Sequence, residues 1–263
     1  MLNIENVSIT FKKGTLDEKK ALQNVSLTLE DGDFVTVIGG NGAGKSTLLN
    51  IIAGTLKPDE GSVSIDGKDI TNIPDYKRAS LLGRVFQDPR QGTAADMQID
   101  ENLALAKRRG KMHGLAWGIT KAERLKYSEM LKEFDLGLEN RLTANVGTLS
   151  GGQRQAVTLL MATMNSPKVL LLDEHTAALD PKTASKVLSL TDKIVKEGNL
   201  TTLMITHNMN DAIRYGNRLI MMSDGKIIFD IKGDEKMKLT VGDLLKKFEE
   251  SGAEATDKMI LSD

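Results

Sequence analysis

The run Gly39-Gly40-Asn41-Gly42-Ala43-Gly44-Lys45-Ser46-Thr47 follows an apolar stretch, FVTVIG, and precedes a helical pattern. It fits G-x-x-x-x-G-K-[ST] in the strand-then-helix context that the motif requires. Glycines let a backbone wrap phosphate oxygens, Lys45 neutralises the β/γ oxygens there, and the Ser46 hydroxyl suits Mg²⁺. A second glycine-rich helix start, Leu149-Ser150-Gly151-Gly152-Gln153-Arg154-Gln155, stands far downstream. Free N–H groups and the positive helix end make such a start an anion site. Two readings stand for it: a plain helix start, or contact with a phosphate that the first loop does not hold alone.

Acidic and polar residues add a second chemistry, attack of water on phosphorus. KVLLLDE carries Asp173 and Glu174 to the end of a buried strand. Asp173 can hold Mg²⁺ through water there. Successive strand residues face opposite ways, but at the strand's exit Glu174 can turn toward a γ-phosphate and polarise water as a general base. By itself an acidic pair could also be a helix cap or a solvated turn. Gln87, after RVF, reads as a loop glutamine or as a group touching Mg²⁺ or the attacking water. His207 follows the strand TLMIT, where a neutral imidazole can donate to a γ-phosphate. Phe11 is read either as core or as a ring stacking on adenine.

These residues need an α/β frame. Residues 2 to 11 and 21 to 29 alternate at period two, as half-buried antiparallel strands do. FVTVIG reads as a strand buried on both faces, followed by a helix with Leu48, Leu49, Ile51 and Ile52. Hairpins are expected at Asp66-Gly67 and Asp224-Gly225. From about Asp88 to Ser166 the texture is helical, with a capping box at Thr120 and Glu123. Leu125, Met130, Leu131 and Phe134 are expected to form one helix face. Val157, Leu160, Met161 and Met164 form the core stripe behind LSGGQ. KVLLLDE and TLMIT resume the core, with a helix opening at Asp180-Pro181 and Gly198 at its C-cap. The charged chain after Asp230 is expected to be helical and peripheral, and Lys107 to Gly114 a solvated loop.

The 263 residues are 40% hydrophobic and 27% charged, ordinary for a globular protein. With 35 basic and 36 acidic residues the net charge is −1, which argues against nucleic-acid binding through bulk charge. Without cysteine there is no disulfide framework and no thiolate chemistry. No apolar run reaches the ~18–20 residues needed to span a bilayer, and MLNIENVSITF lacks the layout of a signal peptide.

Together these residues closely resemble the ATP-binding-cassette (ABC) family of nucleotide-binding subunits, in order from about residue 2 to 230. Phe11 stands in the adenine-stacking place, followed by GGNGAGKST, Gln87, LSGGQ, LLLDE, the AALD stretch ending at Asp180, and His207. The resemblance implies an α/β P-loop fold with a RecA-like core, an N-terminal antiparallel β subdomain and a helical subdomain. It implies a core over 1–87 and 166–230, a helical signature subdomain over 88–165, and a tail over 231–263. It also implies ATP and Mg²⁺ as cofactors, with Ser46, Gln87 and Asp173 toward the metal and Glu174, His207, Lys45 and Gln87 toward the chemistry. Gly39 to Thr47 and Asp180 fall to nucleotide binding. In this family two cassettes pair head to tail, so Ser150, Gly151, Gly152 and Gln153 would meet the partner's γ-phosphate.

LLDEHTAALDPKTA and RYGNRLIMM are similar to the ATP-binding subunits of bacterial tryptophan/tyrosine import systems. That similarity implies a peripheral subunit on the cytoplasmic membrane face, under membrane-spanning permease subunits and served by an extracytoplasmic solute-binding protein. An exporter cassette or a non-transport complex is the alternative. A soluble repair or translation ATPase is disfavoured by the absence of a long coiled coil or a second cassette. A protein without turnover is disfavoured by the presence of Glu174 and His207. Many cassettes have proline where His175 stands; His175 is expected in a solvated loop, with tuning of Glu174 as the other reading.

Overall fold

The computed structural model describes residues 1–110 and 118–250. In chain order its first elements are β1 (Leu2–Phe11), β2 (Lys19–Leu29), β3 (Phe34–Gly39), α1 (Lys45–Ala53), β4 (Glu60–Ile65), β5 (Lys68–Asp69) and α2 (Asp75–Arg78). Next come β6 (Leu82–Val85), α3 (Ile99–Arg108), α4 (Lys121–Lys132), α5 (Gly151–Thr163), β7 (Val169–Asp173) and α6 (Pro181–Gly198). The last are β8 (Thr201–Ile205), α7 (Met209–Arg214), β9 (Arg218–Ser223), β10 (Lys226–Lys232), α8 (Asp234–Met237) and α9 (Val241–Glu250). The chain forms two compact units, Met1–Arg78 with Asn199–Asp263, and Ala79–Gly198.

The first unit holds an antiparallel sheet in the order β2-β1-β4-β5. Simple alternation does not describe its long strands. Ile4 and Val7 are both buried although they differ in parity, and the β1–β2 register shifts between them. Asn6 takes a left-handed φ of 50° at that step. Such a bulge turns the following side chains to the other face, so the core side is kept. Leu22 and Val25 on β2 change parity in the same way around Asn24, whose φ is 53°.

The same unit holds β3 in parallel between β8 and β9, with β10 antiparallel on β9. Every residue of β3 is buried, which is why its sequence is an unbroken apolar run. Both expected hairpins form: Asp66 and Gly67 have φ of 50° and 74°, and Asp224 and Gly225 have 46° and 73°. Two left-handed residues in succession suit the right-handed twist of the strands they join. Between Asp230 and Glu250 the chain is not peripheral as expected. Leu244 and Phe248 of α9 are fully buried with Ile38, Met209 and Leu219, because their four-residue spacing gives α9 an apolar face.

The second unit pairs β6 and β7 in parallel, Leu82 opposite Val169 and Val85 opposite Leu172. Its helices α3, α4 and α5 share a core of Ile99, Leu103, Tyr127, Leu131, Val157 and Leu160. The Thr120–Glu123 capping box forms as the spacing predicts. Leu125 departs from its expected face and is 64% exposed. It lies six residues before Leu131, which at 100° per residue turns it about 120° away around the helix. Pro181 opens α6 as expected, but the left-handed residue that ends it is Asn199, with φ 45°, and not Gly198. Lys107 and Arg108 close α3 instead of lying in a loop; residues 111–114 of that expected loop lie outside the described residues. No helix among the described residues is long and apolar enough to cross a membrane.

Candidate functional site

The first unit builds the glycine-rich loop from the buried end of β3. A methyl group at Gly39 would fall 2.3 Å from the Met222 carbonyl oxygen, and one at Gly44 would fall 2.6 Å from that of Ala21. No side chain fits at either place, so the backbone itself forms the wall. Gly42 and Gly44 also have φ of 79° and 100°, values costly for any other residue. The β9–β10 turn braces the loop, the Gly225 N–H donating to the Ala43 carbonyl at 3.1 Å. Lys45 is buried, and its Nζ donates to the Gly39 and Gly40 carbonyls at 2.6 and 3.0 Å. Its ammonium is therefore held inside the loop's curve. Helix α1 begins after Gly44 with no side-chain cap, which leaves its first-turn N–H groups aimed outward beside exposed Ser46 and half-buried Thr47.

Thr206 N–H donates to the Val37 carbonyl at 3.1 Å, continuing the β3–β8 ladder. This brings half-buried His207 to the same sheet edge from which the loop emerges. Phe11 is 37% exposed at the end of β1, so it does not belong to the core. Lys19, opposite Phe11 in the β1–β2 pair, escaped the sequence reading. A methyl at Gly42 would meet Lys19 Nζ at 2.8 Å, so a second ammonium lies against the loop. Only strand pairing brings it there; no local motif contains it.

The second unit groups Gln87, Asp173 and Glu174. Since β6 and β7 run parallel with Val85 opposite Leu172, the residues that follow both strands leave at one edge. Gln87 is exposed there; Asp173 and Glu174 are half-buried. Glu174 has a φ of 46°. That left-handed turn is how the residue after Asp173 escapes strand alternation. Arg84, also missed from sequence, places Nη2 3.7 Å from Asp173 Oδ2 and stacks 4.5 Å over the Phe86 ring. Burial pushes the Arg84 guanidinium below its ordinary range, and the Asp173 charge opposes that shift. Buried Gln155, in the LSGGQRQ stretch, donates from Nε2 to the Phe86 carbonyl at 3.1 Å and so ties α5 to the residue before Gln87.

The α5 start is a capping box. Ser150 Oγ accepts from the Gln153 N–H, and Gln153 Oε1 accepts from the Ser150 N–H, both at 3.3 Å. The S-x-x-Q spacing contained this signal. Gln153 Nε2 also donates to the Leu136 carbonyl at 3.1 Å. The two glycines differ. A methyl at Gly152 would lie 2.0 Å from Thr183 Cγ2, whereas Gly151 is exposed and a methyl there would meet Leu179 Cδ2 at 3.3 Å. Asp180 accepts from the Thr183 N–H at 3.1 Å, and the Thr183 bonds hold its carboxyl below the usual range.

His175 overturns its expectation. It is 2% exposed, with Nε2 3.1 Å from Thr191 Oγ1 on α6, and burial lowers its pKa to about 4. The polarity of its neighbours in sequence hid an inward-pointing side chain.

The first unit thus offers backbone amides, a buried ammonium and a hydroxyl, the donor set for a polyphosphate. The second offers one side-chain amide and two carboxylates. Among the described residues no cluster of three or more His, Cys, Asp or Glu residues forms a metal cage. Ser46 in the first unit, and Gln87 and Asp173 in the second, each carry a side-chain oxygen, the hard donor type that Mg²⁺ takes.

A sequence profile of the ABC transporter family matches residues 22–177. The chain is 49% identical over 250 residues to a tyrosine transport ATP-binding protein of Clostridioides difficile, covering 95% of this chain and 99% of that one. It is 35% identical to the methionine import ATP-binding protein MetN 2 of Enterococcus faecalis, over 94% of this chain and 70% of that one. Its fold superposes with a TM-score of 0.76, at 34% identity, on the dimeric post-hydrolysis structure of the cassette MJ0796 bound to ADP and Pi. That match covers 91% of this chain and all of the other.

Proposed function

The chain belongs to the ABC transporter family, and from that premise we propose that it is the ATPase subunit of an importer that takes up an amino acid, aromatic in kind. The observation that carries the substrate class is the 49% identity, over nearly the full length of both chains, to a protein named for tyrosine transport. The subunit works as a homodimer on the cytoplasmic face of the membrane, beneath permease subunits that receive solute from an extracytoplasmic binding protein. The dimeric MJ0796 cassette supports the pairing.

In this reading Phe11 stacks on adenine, and residues Gly39 to Thr47 hold the phosphates. Lys45 trades its two loop carbonyls for β/γ oxygens. Ser46, Gln87 and Asp173 would hold Mg²⁺, which when bound would neutralise charge on the phosphate oxygens. Glu174 takes the proton of the attacking water, and His207 donates to the γ-phosphate. Ser150, Gly151, Gly152 and Gln153 serve the nucleotide of the partner copy. Gln87 reports nucleotide state to the permease side, and Asp180 caps α6 near the nucleotide.

Two measurements test this. Glu174→Gln should keep ATP binding, trap the closed dimer and slow turnover by roughly 10²–10⁴-fold; near-normal steady-state hydrolysis would remove Glu174 from its role. Proteoliposomes holding the permease and this subunit, with ATP inside, should accumulate labelled tyrosine or tryptophan supplied with the binding protein. Uptake of neither, by a complex that hydrolyses ATP, would refute the aromatic substrate.

A further inference from the structure

His175 follows Glu174 directly and is buried inside the second unit. Its Nε2 lies 3.1 Å from Thr191 Oγ1. The Thr191 hydroxyl donates to the Val187 carbonyl at 2.8 Å, within α6. A hydroxyl has one hydrogen to give, so toward the imidazole Thr191 is the acceptor. His175 therefore carries its proton on Nε2 and donates it to α6. One residue of the exit turn is pinned to a helix residue sixteen positions later.

What the pin holds is the neighbouring backbone. Glu174 sits at φ 46°, where a Cβ crowds the adjacent carbonyl and the surrounding structure must enforce the conformation. Strand β7 fixes the chain before it. After it, the Glu174 carbonyl accepts from the Ala177 N–H at 2.9 Å, which closes a turn. Between these supports the buried ring ties the turn to α6. A neutral imidazole does this without adding a charge beside the carboxylate.

We propose that His175 is a positioning residue for Glu174: its hydrogen bond to Thr191 locks the left-handed turn that aims the Glu174 carboxylate. The proposal rests on Glu174 acting as the base toward water, as read above. A small misplacement of a reacting group has a large effect on the chemical step and little on binding.

The test uses the full-length chain. His175→Ala should lower kcat by about 10- to 100-fold, while KM for ATP and calorimetric Mg-ATP binding stay within about twofold. Thr191→Val removes the acceptor at nearly constant shape and should act in the same direction. His175→Gln, whose amide can donate from the position of Nε2, should bring kcat back to within about threefold. Added to Glu174→Gln, His175→Ala should reduce the residual rate no further. Wild-type kcat in His175→Ala and Thr191→Val overturns the proposal, as does a loss that His175→Gln fails to reverse. Should His175→Ala not fold, Thr191→Val and His175→Gln decide alone, and wild-type kcat in Thr191→Val refutes the pin. Near-normal hydrolysis by Glu174→Gln would instead sink the base itself. An inactive Glu174→Gln beside a fully active Thr191→Val would leave the base standing and remove only the anchor.

Discussion

The two glycine-rich helix starts share a composition and differ in how their backbones are satisfied. Helix α1 has Gly44 at its N-cap, left-handed and without a side-chain acceptor, and carries Lys45 at its first position. Helix α5 has Ser150 at its N-cap in a reciprocal bond with Gln153, and its first turn bears no acidic residue. The first start leaves N–H groups and a cation for a ligand. The second satisfies part of itself, and only a strong acceptor such as a phosphate gains by displacing the serine. Glycine runs of similar appearance therefore do opposite things: one is a cradle built into its own unit, the other a capped helix presenting a small, exposed residue. This fits a loop that binds nucleotide alone and a signature that engages only when a partner delivers one.

Nucleotide binding and hydrolysis separate these roles most sharply. Lys45→Ala should weaken Mg-ATP binding and cut hydrolysis by about 10²-fold or more, since the interaction of a buried cation with phosphate is lost. Gly151→Asp should cut hydrolysis as strongly yet leave ATP binding to the isolated subunit nearly intact. Its carboxylate would face a γ-phosphate only after dimer closure, where like charges in a desolvated gap repel strongly. A mixture of the two variants should regain partial ATPase activity, because one composite site in each heterodimer keeps both halves. Loss of calorimetric ATP binding by Gly151→Asp would place the signature in cis and end the comparison.

A second difference appears with pH. Burial lowers the His175 pKa in the folded second unit to about 4, against an ordinary 6.5. The unfolded chain therefore binds a proton that the folded chain refuses between those values. The stability this contributes is complete above pH 6.5 and is lost as pH falls toward 4. At about 1.4 kcal/mol per pH unit, about 2 kcal/mol should disappear between pH 7 and pH 5. Urea unfolding of wild type and His175→Gln at both pH values measures it; an identical loss in the variant would show that other groups cause it.

The smallest effects distinguish the glycines within α5. Gly152→Ala would drive a methyl into Thr183, 2.0 Å from Cγ2, and should cost about 1–3 kcal/mol as overpacking. Gly151→Ala has room apart from Leu179 at 3.3 Å and should shift stability by no more than about 1 kcal/mol, since alanine also favours the helix. Ser150→Ala should cost about 1 kcal/mol through its lost cap. Thermal denaturation of the three variants would show whether packing and exposure divide as described; equal losses at both glycines would contradict it.

What the amino-acid sequence determined by itself was local. The glycine loop before α1, the Asp66-Gly67 and Asp224-Gly225 turns, the Thr120–Glu123 box and Pro181 at the start of α6 each depend on φ preferences or on hydrogen bonds a few residues apart. The catalytic candidates were legible for the same reason, as residues placed at the ends of apolar strands. The tertiary structure alone decided the parity changes at Asn6 and Asn24. It also decided which residues support the site: Lys19 against Gly42, Arg84 beside Asp173, Gln155 on the Phe86 carbonyl, and His175 under Thr191. These contacts join residues sixteen to eighty-nine positions apart. No periodicity encodes such a pairing, because a side chain's partner across a sheet or helix is set by packing of distant segments and not by the residues next to it.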